Sequence, residues 1–502
     1  MPEGSYGADL ARLLPEVALA LVSFVVLVAD LIARGRDSRR IGWLTLAGLL
    51  VVAATLLREW GEPSTIVFGM VTVDAFAVFW KLFVTAALGA VVLFTIYARE
   101  TPRHGAGEFY FVLLSAGLGA FFLVSTTNLL LLVLALELLG LSSYVLAGIS
   151  KGDRRSAEAA LKYVIFGAAA TGVMLFGLSI LYGLSGTLDL REMARVLAGA
   201  EADVGTGRAI DRFALAEPAL AVGIVLSLVG FGYKISAVPF HWWTPDVYEG
   251  APTAVSTFLA VASKGAAFGA LLRFTGALFV GPVEGAGAAF AAKLSSLLAL
   301  LAAVTMTYGN FAALRQRNLK RLLAYSSIAH AGYALMGVAT LRPSGFEASI
   351  FYLAAYYFMN LGAFGAVIYF ARTTGNEEIE GLRGLGWKTP LVSGCLVVFL
   401  ISLTGIPPTV GFFGKWYLFV ACWNEGLGWL TVVAAANSVI SLFYYFRIAK
   451  ALLLVPGEEA VFPHRRVPAL AGVLGLLGAG TVWFGISVGG LQAACAKALT
   501  LF

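Results

Sequence analysis

Apolar runs about twenty residues long recur from one end of this chain to the other, and that repetition decides what it can fold into. The hydrocarbon core of a bilayer is about 30 Å thick and takes about 20 helical residues to cross. Inside it every backbone N–H and C=O must find a partner within the protein, and runs of this length do so as helices. Of the 502 residues 59% are hydrophobic and 13% charged, with mean hydropathy +0.86, against about 25% charged in a soluble domain. The reading is an all-α polytopic membrane protein with about fourteen transmembrane helices. The predicted spans are 10–33, 41–57, 68–97, 109–125, 128–149, 157–183, 217–241, 252–276, 286–308, 320–340, 346–371, 390–421, 428–453 and 467–490. The opening MPEGSYGADL has no basic region and no small-residue cleavage site, so span 1 is expected to be a retained helix.

The formal charge of +6 does not point to nucleic acid, because the basic residues follow topology. They concentrate in loops after odd-numbered spans, beginning with four arginines in ARGRDSRR. By the positive-inside rule these loops are expected to be cytoplasmic and both termini to face the opposite side. Cys395, Cys422 and Cys495 form no CxxC, and the four histidines form no i, i+4 pair. Neither a metal site nor an iron–sulfur cluster is expected, and no glycine-rich phosphate loop opens a helix.

Two apolar stretches are punctuated by helix breakers. In GFGYKISAVPFHWWTPDVYEGAPTA, Pro239 follows Lys234; in LISLTGIPPTVGFFGKWYLF, Pro407 and Pro408 precede Lys415. Proline removes a donor and clashes with the preceding turn, so spans 7 and 12 should be interrupted near Ser236–Pro239 and Thr404–Pro408. A plain kink is the simpler reading of either one. Interruptions in two halves, each beside a lysine, are a transporter pattern. Because they are five spans apart, a repeat of five must invert its topology, which gives inverted repeats of spans 4–8 and 9–13. The divisions are residues 1–107, 108–277, 278–455 and 456–502. A polar stretch, LREMARVL, reads as a short amphipathic surface helix.

Ionisable residues inside spans are rare and mark ion pathways. Here they are Lys81, Glu137, Lys162, Lys234, Lys264, His330 and Lys415. Lys81 and Lys162 lie near helix ends, where a lysine can snorkel to the interface. The other five sit deeper or at a break. Burial disfavours the charged form of both lysine and carboxylate, drawing both toward neutrality, where they exchange protons, and a nearby opposite charge restores the charged form. A Glu–Lys pair is thus a controllable proton site; the expected pair is Glu137 with Lys234, buried between spans 5 and 7. Asp30 and Asp74, at span ends, are expected at the interface.

With those residues placed, the sequence resembles the antiporter-like membrane subunits of respiratory complex I, the proton-translocating NADH:quinone oxidoreductase. The resemblance rests on LALELLGLSSYVLAG, SAEAALKYVIFGAAATG, the long block from Lys234 to Arg273, LLAYSSIAHAGY and SLTGIPPTVGFFGKWYLF. A lysine at 415 and an end soon after span 14 are most like the N-type members. The resemblance implies proton translocation through Glu137, Lys162, Lys234, Lys264, His330 and Lys415, with NADH, FMN, iron–sulfur clusters and quinone bound by other subunits. It implies partners among those subunits, including neighbouring antiporter-like ones, and the lipid bilayer, and leaves Lys81 without a role. The competing reading is an Mrp-type monovalent cation/proton antiporter subunit; a non-transporting scaffold would leave the buried charges unexplained.

Overall fold

The structure, a computed structural model, describes residues 9, 11–33, 38–60, 64–98, 105–197, 212–280, 286–456 and 467–499. Its first part runs α1 (Leu14–Ala33), α2 (Ser38–Arg58), a ribbon of β1 (Ser64–Ile66) and β2 (Val71–Val73), α3 (Ala75–Ala98), α4 (Ala106–Ser125), α5 (Leu129–Ala147) and α6 (Arg154–Ser185). Next come α7 (Leu190–Leu197), α8 (Arg212–Ile235), α9 (Trp243–Gly250), α10 (Thr253–Phe258), a π-helical turn at Leu259–Ser263, α11 (Lys264–Phe279) and α12 (Ala286–Ala313). The chain continues with α13 (Leu319–Ala339), α14 (Pro343–Thr374), α15 (Pro390–Thr404), α16 (Val410–Asn424), α17 (Gly428–Leu453), α18 (Pro468–Ile486) and α19 (Val488–Leu499). Among the described residues thirteen helical spans are long and apolar enough to cross a bilayer, and the predicted span 12 is split into α15 and α16. LREMARVL is helical, as expected, and is α7.

Matching devices recur five spans apart. Asn128 caps α5 by accepting from Leu130 and Leu131 N–H, and Asn318 caps α13 by accepting from Arg321 N–H. Both asparagines form an antiparallel bridge to the segment after the next helix, at Asp189 and Glu378. The helices between, α6 and α14, are each 32 residues long and end on a left-handed glycine, Gly186 and Gly375. The interruption follows in each half. An odd offset places the two sets on opposite membrane faces, as an inverted repeat requires.

The bundle is layered by burial. The span from α10 through α11 is buried all round, α13 and α14 nearly so, while α1, α2, α6, α12, α17 and α18 turn rows such as Leu21, Phe24, Val28 and Phe443 outward toward lipid. Small residues set the inner spacing: a Cβ on Gly309 would lie 2.5 Å from Ala329 N, and one on Gly332 2.5 Å from Met306 N. The α12 and α13 backbones therefore touch, which fixes the helix that carries His330.

Four sequence expectations change. Span 3 begins at Ala75, because residues 64–73 form the ribbon instead. Span 8 contains the π-helical turn directly before Lys264, a distortion frequent at functional sites. Asp74 is buried: it accepts Ala77 N–H at 2.6 Å and pairs twice at 2.8 Å with Arg273, whose Nε donates to the Val124 carbonyl at 2.9 Å. Burial pushes the Asp74 carboxyl up, and the Arg273 charge and hydrogen bonds outweigh it, holding the group below its usual range. Asp30 is likewise buried and accepts Gly107 N–H at 2.9 Å, tying α1 to α4.

The Asp74–Arg273 pair fastens α3 to α11. Removing one partner strands the other charge in a dry site, at a cost of about 3–5 kcal/mol. Asp74→Asn should lower the thermal stability of the purified assembly sharply, and Asp74→Asn with Arg273→Met should recover much of it. Equal unfolding temperatures for wild type and the single variant would show that the pair does not hold the helices together.

Candidate functional site: a buried polar track

Both interruptions fall where the prolines place them. The first helix of one pair, α8, ends at Ile235, and Ser236 takes a left-handed φ of 66°. The carbonyl of Tyr233 is met by Trp243 Nε1 at 3.0 Å, and Trp243 stacks on Tyr163 with 4.4 Å between ring centres. Lys234 is buried among these rings; Nζ donates to Tyr163 OH at 3.4 Å and lies 5.5 Å from the Tyr163 ring centre and 6.0 Å from that of Tyr144. In the second pair α15 ends at Thr404 and Gly405 has φ of 89°. Lys415 reaches back across the break, donating to the Thr404 carbonyl at 2.9 Å and to Ser438 Oγ at 3.1 Å, 4.4 Å above the centre of the Tyr333 ring.

Between them lies a chain of hydroxyls, amines and one imidazole. Lys264 Nζ donates to Ser327 Oγ at 2.5 Å and to the Ser327 carbonyl at 2.9 Å. The neighbouring Ser326 Oγ meets Tyr445 OH at 2.5 Å, which lies 3.1 Å from His330 Nε2. His330 Nδ1 meets Tyr352 OH at 2.5 Å. One turn further on, Tyr333 OH contacts Ser438 Oγ at 3.2 Å, and Ser438 holds Lys415. Hydroxyls both donate and accept, so groups linked in this way can exchange protons along their hydrogen bonds; among the described residues no side-chain hydrogen bond joins Ser327 to Ser326 or His330 to Tyr333. Lys264, His330 and Lys415 thus fall on one track; Lys234 stands at its near end, joined to Lys264 by no hydrogen bond among the described residues.

On the face carrying the basic loops the bundle opens into a polar cavity of about 590 Å³, lined among others by Asp153, Arg155, Glu249, Lys320 and Glu377. Lys320 pairs with Glu377 at 3.1 Å and donates to the Ala251 carbonyl at 3.2 Å. Beside it Arg321 holds Asp246 at 2.7 Å and Glu249 at 2.8 Å. Burial pushes the Asp246 carboxyl up, and hydrogen bonds from Lys162 and Arg321 outweigh it, keeping the group charged below the usual carboxylate range.

Two predicted residues stand apart from the track. Lys162 is 37% exposed and bound at 2.6 Å to both Asp246 and Glu158, near the cavity mouth. Glu137 is half-buried, and the expected ion pair is not made: Lys234 donates to Tyr163, while the Glu137 charge acts on Lys234 through space. The physical reason lies in α5, whose Leu134, Leu141 and Val145 face outward, so that one flank of Glu137 is uncovered in the single chain. The sequence reading missed Tyr352, Tyr445, Ser438, Asp246 and Arg321. A signal existed for Ser326, Ser327 and Tyr333, which sit four and three residues before and three after His330 on one helical face.

The chain is similar to known proteins in sequence and in fold. Residues 126–441 match the family described as NADH:quinone oxidoreductase/Mrp antiporter, transmembrane. NADH-quinone oxidoreductase subunit N of an Anaeromyxobacter species is 42% identical over 468 residues, covering 90% of this chain and 89% of that protein. A chain of respiratory complex I from Thermus thermophilus with bound aureothin superposes with TM-score 0.78 at 33% identity, covering 96% of this chain and 99% of its own. A chain of the Mrp complex from a Dietzia species gives TM-score 0.78 at 21% identity over 96% and 97%, a likeness of fold.

Gly405 is the position on which the second break turns. A Cβ there would sit 2.8 Å from Lys415 Cδ, in a backbone conformation that costs a side-chain-bearing residue about 1–2 kcal/mol. Gly405→Ala should push Lys415 off the Thr404 carbonyl while the bundle survives, checked by a structure of the variant. An undisturbed Lys415 contact would mean that the break does not depend on glycine.

Proposed function

The chain belongs to the NADH:quinone oxidoreductase/Mrp antiporter transmembrane family, and from that premise we propose how its residues divide the work of moving protons. It is a multi-pass, proton-translocating membrane-arm subunit of NADH:quinone oxidoreductase, working with other subunits of that complex. In our reading the redox chemistry happens elsewhere: NADH, FMN, iron–sulfur clusters and quinone sit on partner subunits. The basic loops face the cytoplasm of a bacterial cell and both termini the periplasm. Residues 108–277 and 278–455 are read as the two repeats, flanked by 1–107 and 456–502.

The observation that carries the proposal is the line from Lys264 through Ser327, Ser326, Tyr445 and His330, resumed at Tyr333, Ser438 and Lys415. The polar cavity beside Lys320 supplies protons from one side. Lys234 passes them to Lys264, His330 bridges the halves, and Lys415 delivers them to the far side. Lys162 tunes the mouth through Asp246. Glu137 sets the charge state of Lys234 from a distance. Unit charges about 4 Å apart interact by about 4 kcal/mol at an effective dielectric near 20, and the interaction falls only as the inverse of distance. Its uncovered flank leaves that charge open to a neighbouring antiporter-like subunit, which couples one subunit to the next. The Mrp-type reading shares the fold but rests on the lower-identity likeness.

Glu137→Gln keeps shape and removes charge. In proteoliposomes holding the assembled complex, it should cut NADH-driven acidification several-fold while co-isolation with the NADH-oxidising subunits survives. Wild-type proton-to-electron ratios in the variant would assign Glu137 a structural role. Transport that requires sodium and proceeds without NADH-oxidising subunits would favour the antiporter reading instead.

A further inference from the structure

A second group of ionisable residues lies in the first three helices, away from the track. Lys81 Nζ sits 2.6 Å from Glu16 Oε1, the two side chains 0% and 3% exposed. Glu59, one residue past the end of α2, is also buried, and neither of its carboxylate oxygens has a hydrogen-bond partner among the described residues. It feels Lys81, Glu16 and Arg12 through space. Two carboxylates therefore share the neighbourhood of one buried ammonium, and an ionised carboxylate without donors is unfavourable in such a place. The other charges facing the group are arranged in pairs or contacts of their own. Asp74 on α3 is matched by Arg273 of α11, and Lys497 of α19 rests 5.6 Å from the centre of the Trp60 ring.

The cluster is turned away from the track. Phe83 is two residues along α3 from Lys81, about 200° around the helix. It packs where a Cβ on Gly265, next to Lys264, would lie 2.4 Å from its ring, and it meets the Tyr357 ring edge-on at 5.2 Å. Aromatic rings thus cover the track-facing side of α3, while Lys81 faces α1. Glu16 opens α1, Glu59 follows α2 and Lys81 lies in the second turn of α3, so all three gather at the end of the bundle opposite the basic loops.

We propose that Glu59 is a proton-binding site of the N-terminal three-helix segment, taking up and releasing one proton while the Lys81–Glu16 ion pair beside it stays closed. Burial pushes the Glu59 carboxyl up to about 7; Lys81 opposes this, Glu16 reinforces it, and Arg12 opposes it. The carboxyl is thus protonated below about pH 7 and ionised above. The inference stands on these residues and does not require the track to conduct.

The test is a pH titration of the protonated-carboxyl infrared band in the purified, assembled complex. Wild type should show a carboxyl titrating near pH 7, and Glu59→Gln should remove it. Glu16→Gln, which removes the repulsion, should move the same transition to lower pH, and it decides the matter if Glu59→Gln fails to assemble. Glu137→Gln should leave this band in place whatever it does to pumping. A near-neutral carboxyl that survives Glu59→Gln, one that vanishes in Glu137→Gln, or an unmoved midpoint in Glu16→Gln would overturn the proposal.

Discussion

A backbone carbonyl released inside a bilayer has no water to turn to, and the two helix breaks release several. Much of the track's arrangement answers that need. At the second break the ammonium of Lys415 takes the Thr404 carbonyl, so the group that satisfies the break is itself able to gain or lose a proton. At the first, Ser236 N–H and Trp243 Nε1 share the Tyr233 carbonyl and leave Lys234 with only a long contact to Tyr163, among rings that stabilise a cation without fixing it. The same carbonyl-binding appears at Lys264 with Ser327. Ser327 lies within a continuous helix, so only at Lys415 does a protonatable group also repair a break in the backbone.

Repetition with inversion gives the arrangement its polarity. The Asn128 and Asn318 caps, the Gly186 and Gly375 ends and the paired breaks recur at an offset of five spans. The halves are alike in scaffold and differ in what they hold. Lys234 rests among aromatic rings with a charge acting from Glu137, whereas Lys415 is bound by oxygen at 2.9 and 3.1 Å. His330 belongs to the second half, on the helix whose Ser327 receives Lys264 of the first half and which Gly309 and Gly332 lock to its neighbour.

Much of this was legible in the residues alone. Hydropathy at helical length located the spans, proline located both breaks, and the cost of charge in lipid singled out Lys264, His330 and Lys415. What escaped were features set by tertiary packing. The hydroxyls of Tyr352 and Tyr445 belong to apolar-looking helices, and only the fold turns them toward His330. The π-helical turn before Lys264 has no breaker residue to announce it. Glu137 was expected in a closed pair with Lys234, but opposite charges on two helices pair only if packing brings them together. Here Tyr144 and Tyr163 occupy the space near the ammonium. Lys81 looked like a snorkelling end residue and is instead fully buried against Glu16.

The central claim is that protons cross this chain through the Lys264–His330–Lys415 track. The most direct test is the number of protons moved per NADH oxidised by the reconstituted complex carrying Lys264→Gln, an amide that can still donate to Ser327. The account predicts an assembled complex that oxidises NADH but moves fewer protons for each one. An unchanged ratio at wild-type turnover would contradict it.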